Sequence, residues 1–349
     1  MRIQLESGKP RVVLHLGMPK TATTMLQNSL FARHSQILHL GKCDDWLENP
    51  QRAGHWRTQP IRRFVEELRV AETGRVPELP EGGRFRSEAE AAGKTLVWSL
   101  ELMTAGSPGR KRARAEALRR AFGEARVLIV LRNPFSFITS YYFQKVKDYN
   151  RLDSVEQGHW MASLPQRPYR FSMEQFLGPN LEQSRQPALM HLNIEETIAA
   201  FAAEFGRGRI RLMLFEQLLE DQAAFLEELS RFFGVDPAES LRLVADSRRN
   251  DRWTERHMEI LDRLQNSRFG RWRFGRVRSK AAREALLGMT PGHSAWNAPA
   301  AKVEIPPHWR EQIEEFTRGP LTRLAAEFDL PLAKYGYPVD PPAEQRRAA

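Results

Sequence analysis

Residues Val12 to Leu16 form a short apolar run rich in β-branched side chains, and the chain then turns within a few residues into a segment with helical spacing. Apolar residues at Met25, Leu26 and Leu30 mark that segment, Thr23 to Arg33, as a helix, so the unit reads as strand, tight turn, helix. The same alternation recurs. Strands are expected at Thr95–Leu100, Val127–Leu131 and Ile210–Phe215, and helices at 110–122, from Asn133-Pro134 onward, and from about Asp221 to Phe233, where Gly234 ends the run. Asn is a preferred N-cap, and Pro fits the first helical position because its missing N–H has no partner there anyway. Strands alternating with helices argue for an α/β fold: a central parallel sheet covered on both faces. The polar Gly/Pro-rich stretch at 73–93 reads as a loop, 150–190 as irregular, and the residues from Val339 on as a frayed tail.

The 349 residues suffice for one large domain with insertions or for two modest ones. With 53 basic residues against 43 acidic ones the chain carries +10, a balance that suits a polyanionic ligand without naming it. Arginine supplies 43 of the basic residues; it grips phosphate and sulfate bidentately, although a GC-rich genome would produce the same bias. The single cysteine, Cys43, excludes an internal disulfide framework and a cysteine zinc cluster. The nine histidines show no metal-ligand spacing, so no metal is expected. No apolar run approaches the roughly 20 residues of a membrane helix. The N-terminus lacks the apolar segment of a signal peptide, which makes the cytoplasm the expected compartment.

The turn after the first strand reads Gly17-Met18-Pro19-Lys20-Thr21-Ala22-Thr23-Thr24. Between a strand and a helix, free backbone N–H groups and the helix dipole favour an anion. Lys20 puts a cation at the mouth, and three threonines add hydroxyl donors. The glycine spacing of a nucleoside-triphosphatase loop is missing, so the turn is P-loop-like only. Arg132 follows the strand Val127–Leu131 at its carboxyl end, where open α/β sheets bind ligands, and Ser140 comes eight residues later.

His15-Leu-Gly-Met-Pro-Lys-Thr-Ala-Thr-Thr-Met-Leu-Gln27 resembles the 5′-phosphosulfate loop of the PAPS-dependent sulfotransferase family, commonly Pro-Lys-Ser/Thr-Gly-Thr-Thr. Ala22 stands where that family usually has glycine; a positive φ there would cost about 1 kcal/mol, a helical φ nothing. Arg132 and Ser140 resemble the family's 3′-phosphate site. The resemblance implies about five parallel strands flanked by helices, PAPS held by Pro19, Lys20, Thr21, Ala22, Thr23, Thr24, Arg132 and Ser140, and release of adenosine 3′,5′-bisphosphate. Weaker echoes lie at Leu214-Phe-Glu-Gln-Leu218 and Lys334-Tyr-Gly-Tyr-Pro338. The implied organisation is one sulfotransferase domain over 1–338, with 146–205 and 248–300 as acceptor-side insertions or a lid and 339–349 as a tail.

In that family the base is a His or Glu near the tip of the strand after the first helix. Leu96-Val-Trp-Ser-Leu-Glu101 makes Glu101 the first candidate, against a plain carboxylate capping the next turn, and His55 the second. Lys20 would neutralise the leaving phosphate. His15, inside the first strand, is expected to hydrogen-bond in the core. The arginine-dense 248–280 segment, with Trp253, Phe269, Trp272 and Phe274, fits a lid, a groove for an acidic acceptor, or a solvated pair of basic helices. The acceptor, a hydroxyl or amine on a carbohydrate, lipid or other molecule, stays open. Two rivals remain: a P-loop-like nucleotide kinase, which would need Walker glycines and a Mg-binding Ser/Thr, and a non-catalytic polyanion or nucleic-acid binder, which would leave Lys20 and Arg132 without purpose. No obligate nucleic acid is expected.

Overall fold

All four side chains of the first strand and all five of the third are buried, the pattern of strands covered on both faces. The computed structural model describes residues 11–40, 59–72, 74–151, 170–181, 187–245, 252–277 and 279–341. Five strands, β1 (Val12–His15), β2 (Ile37–His39), β3 (Thr95–Ser99), β4 (Arg126–Leu131) and β5 (Ile210–Leu214), form one parallel sheet in the order β2-β3-β1-β4-β5. The register pairs His15 with Ser99 and with Leu128, and Leu131 with Leu214. From β1 the chain first builds β2 and β3 on one side, then crosses to build β4 and β5 on the other. The carboxyl ends of β1 and β4 therefore flank the point where the order reverses, the place open α/β sheets offer a ligand.

One face of the sheet packs Val13, Val97, Leu128 and Val130 against Leu26, Leu30 and Phe31 and against Phe225, Leu229 and Phe232 of the helix Gln222–Phe233. That helix begins where Asp221 accepts from Ala224 N–H and ends at Gly234 with φ 66°. Elsewhere Trp98 packs between Phe64 and Phe122, at 5.7 and 5.4 Å, and the helix Ile194–Phe205 lies against Pro108–Phe122.

The chain divides into two compact units. Met1–Pro134, Pro187–Arg248 and Glu314–Ala349 form the first, which holds the sheet; Phe135–Gln186 and Arg249–Ile313 form the second. Within the second, Tyr142 contacts Phe171 and Phe176 edge-on and donates to the Phe171 carbonyl at 2.6 Å.

Four local features depart from the sequence reading. The stretch 73–93 contains a helix, Gly82–Ala91, that buries Phe85 and Ala89 one turn apart; Gly82 serves close packing there, since a Cβ on it would stand 2.1 Å from the Ala121 carbonyl oxygen. The helix after the turn starts as Thr23–Met25 and widens into a π-helix over Leu26–Phe31, closed by Ala32 N–H donating to the Gln27 carbonyl at 3.0 Å. β2 has only three residues, too few to show a period. The region read as irregular also carries helices at Met173–Leu181 and Pro187–Leu192. His55, Cys43 and residues 342–349 lie outside the described residues. Among the described residues no helix is long and apolar enough to cross a membrane.

Candidate active site

Parallel strands deliver everything that follows them to one edge, and here that edge collects Gly17–Thr24 after β1, Glu101 after β3, Arg132 after β4 and Phe215 after β5. The turn is still tied to the sheet: Met18 N–H donates to the Val130 carbonyl at 2.9 Å, and Val130 N–H donates to the Gly17 carbonyl at 2.9 Å. Gly17 has φ +83°, and a Cβ there would lie 3.1 Å from the Glu101 α-carbon, so the missing side chain lets Glu101 settle against the turn. Lys20 and Ala22 both take positive φ, 67° and 60°. The left-handed geometry that makes alanine costly is therefore the one adopted. Left-handed residues within a turn help form concave nests of backbone N–H groups.

The three threonines divide their tasks. Thr21 is fully buried and donates to the Met18 carbonyl at 2.6 Å, while the buried Thr23 hydroxyl donates to the Glu101 carboxylate. Both hydroxyls brace the turn from within. Thr24 and Lys20 are half-buried, and Pro19 is buried.

Arg132 reaches back across the switch point. Its Nη1 donates to the Lys20 carbonyl at 2.6 Å, and its guanidinium lies over the Phe215 ring, 4.6 Å from the centroid. Two motifs 112 positions apart thus meet. The sequence echoes at 214–218 and 334–338 hold the arginine's own turn. Glu216 accepts from Asn133 N–H at 2.9 Å and from the Tyr337 hydroxyl at 2.8 Å, and Asn133 Nδ2 donates to the carbonyls of Tyr335 and Gly336 at 3.1 and 2.8 Å. Burial, joined by the Glu216 carboxylate, pushes the Tyr337 phenol well above its ordinary range, which keeps it a donor. Sequence reasoning assigned no role to Glu216 or Tyr337; the resemblance at their two short segments was the available signal.

Glu101 opens a 3-10 turn, Glu101–Thr104, and is half-buried beside Thr23. His15 faces the other way, into the sheet: it is fully buried, shares a 2.8 Å hydrogen bond with Ser99 Oγ, and Gln27 Nε2 donates to the same hydroxyl at 2.9 Å. Burial lowers the His15 pKa from 6.5 to about 3, so it stays neutral. Ser140 lies half-buried on the helix Pro134–Arg151, within the second compact unit. Among the described residues no group of three or more His, Cys, Asp or Glu is arranged to hold a metal ion.

Lys20, an arginine pinned to the same turn and an adjoining carboxylate thus gather at one edge of a five-stranded parallel sheet flanked by helices. The sulfotransferase domain model matches residues 10–280, and the chain belongs to that family. Among solved structures it is similar to a sulfotransferase from Alicyclobacillus acidocaldarius, at 15% identity and a TM-score of 0.44, over 94% of this chain and 99% of that one. It is also similar to the sulfotransferase domain of the Synechococcus olefin synthase, at 13% identity and a TM-score of 0.40, over 90% and 98%. A Mycobacterium tuberculosis sulfotransferase matches at 12% identity and a TM-score of 0.36, over 68% and 72%. No curated protein matches.

Proposed function

We propose that the protein transfers a sulfuryl group from PAPS to a hydroxyl or amine of its acceptor, in the cytoplasm. The observation that carries this reading is the hydrogen bond from Arg132 to the Lys20 carbonyl, which joins both anion motifs at the crevice between β1 and β4. The residues of the turn suit the donor: Lys20 and the amides of the left-handed backbone fit its phosphosulfate, and Arg132, bonded to the same turn, fits its 3′-phosphate. PAPS supplies an activated sulfuryl group whose leaving group is a phosphate. Glu101 takes the acceptor proton as the acceptor oxygen or nitrogen bonds to sulfur and the sulfur–oxygen bond to the phosphate breaks. Lys20 and the turn amides neutralise the charge gathering on that phosphate, and adenosine 3′,5′-bisphosphate leaves. The chain acts as one sulfotransferase domain with acceptor recognition in 146–205 and 248–300, segments that fall largely within the second compact unit.

Calorimetry with adenosine 3′,5′-bisphosphate and AMP tests the donor assignment. The bisphosphate should bind more tightly, and Arg132→Ala should erase most of the difference while the fold survives. Equal affinities in the parent protein would remove the 3′-phosphate site. Turnover of labelled PAPS across an acceptor panel tests the reaction itself.

A further inference from the structure

The arginine-dense segment carries two large apolar side chains that are among the most exposed of the described residues. In the helix Arg268–Arg276, Gly270 and Phe274 are the buried positions, and Phe274 is fully buried. At 100° per residue the direction opposite that buried edge is occupied by Trp272, with Arg276, Arg268 and Phe269 within about 60° of it. Phe269 and Trp272 are 66% and 53% exposed, among the most exposed large hydrophobics of the described chain. Their rings stack on each other with centroids 5.8 Å apart, and the Arg276 guanidinium covers Trp272 at 4.2 Å. Arg268, Arg271 and Arg273 are exposed to either side. Among the described residues the neighbouring ion pairs join Arg256 and Arg263 to Glu259 and Arg170 to Asp262, and none of the four arginines of this helix takes part. The helix itself has no acidic residue.

An apolar ridge flanked on both sides by unneutralised guanidinium groups is complementary to a surface that is anionic at its top and apolar just beneath. We propose that this helix docks the second compact unit on an anionic lipid surface, with Phe269 and Trp272 entering the headgroup region and Arg268, Arg271, Arg273 and Arg276 meeting lipid phosphates. Both rings stand on the side of this single helix opposite its buried edge. The helix is far too short to cross a bilayer, which makes the association peripheral. The proposal concerns where the enzyme works and is independent of its donor chemistry.

Co-sedimentation of the full-length protein with vesicles tests it. The protein should pellet with phosphatidylcholine vesicles containing phosphatidylglycerol, bind vesicles of phosphatidylcholine alone far more weakly, and dissociate at high salt. F269A/W272A should lower partitioning at least tenfold, and each arginine changed to glutamine about fivefold, with unchanged circular dichroism and melting temperature because the six side chains are exposed. Two results would overturn the idea: parent protein that stays in the supernatant with the anionic vesicles, or pelleting that F269A/W272A leaves intact. Retention on heparin without vesicle binding would assign the arginines to a soluble polyanion instead. Adenosine 3′,5′-bisphosphate binding, read on the same preparations, keeps failure here separate from failure of the sulfotransferase reading.

Discussion

Lys20 and Ala22 hold left-handed backbone in the turn proposed to carry the phosphosulfate, a conformation costing an L-residue about 1–2 kcal/mol. Strain of this kind persists only where surrounding bonds over-determine the geometry. Here Thr21 bonded to Met18, Thr23 to Glu101 and Arg132 to Lys20 do so. Ala22→Gly should therefore raise unfolding free energy by roughly 0.5–1 kcal/mol, the relieved strain less the extra unfolded-state freedom of glycine. Urea titration reads that change, and a loss of stability would show that Ala22 is not strained. Glu101 is the residue on which turnover should depend most directly. Glu101→Gln keeps the shape and can still accept from Thr23 but removes basicity, so turnover should fall at least a hundredfold while bisphosphate binding barely moves. Full activity in that variant would return Glu101 to the role of a carboxylate that merely ties the turn to β3.

At the scale of elements, the helix Gly82–Ala91 teaches how a glycine can mislead. Two adjacent glycines in polar sequence read as a loop, yet they meet different surroundings. A Cβ on Gly82 would collide with the Ala121 backbone, whereas one on Gly83 would have nothing within 4 Å. Gly82→Ala should cost about 1–3 kcal/mol through forced separation from the helix Pro108–Phe122. Gly83→Ala, inside the same helix and in open space, should be neutral or stabilising by up to about 1 kcal/mol. Thermal melts of the pair test the packing directly; equal effects would mean that the two helices do not approach as closely as the backbone indicates.

For the whole molecule, the sheet's interior ties stability to pH. His15 and His39 are buried, and desolvation lowers each pKa from 6.5 to about 3, His15 adding its repulsion at His39. The folded chain holds both neutral, whereas the unfolded chain protonates them below about pH 6.5. Their contribution is therefore complete above that pH and drains away as pH falls towards 3, by up to about 1.4 kcal/mol per pH unit for each histidine. Melting temperatures from pH 7.5 to 4.5 should fall steeply, and His15→Gln or His39→Gln should flatten the slope even if it lowers the plateau. An unchanged slope would place the acid sensitivity elsewhere.

What the chain announces by itself is local. Val12–Leu16 and Val127–Leu131 are apolar throughout because both faces of a parallel strand are covered, and the turn at 17–24 has the composition of an anion nest; one-dimensional patterns suffice for these. The strand order, the widening of the first helix into a π turn and the meeting of Arg132 with Lys20 were settled by tertiary structure alone. The site itself is held by hydrogen bonds spanning 78 residues from Thr23 to Glu101, 112 from Lys20 to Arg132 and 121 from Glu216 to Tyr337. No local period encodes such separations. Each bond forms only once the parallel sheet has brought the ends of its strands to one edge, so the site's chemistry is written in the residues and its geometry in the order of the strands.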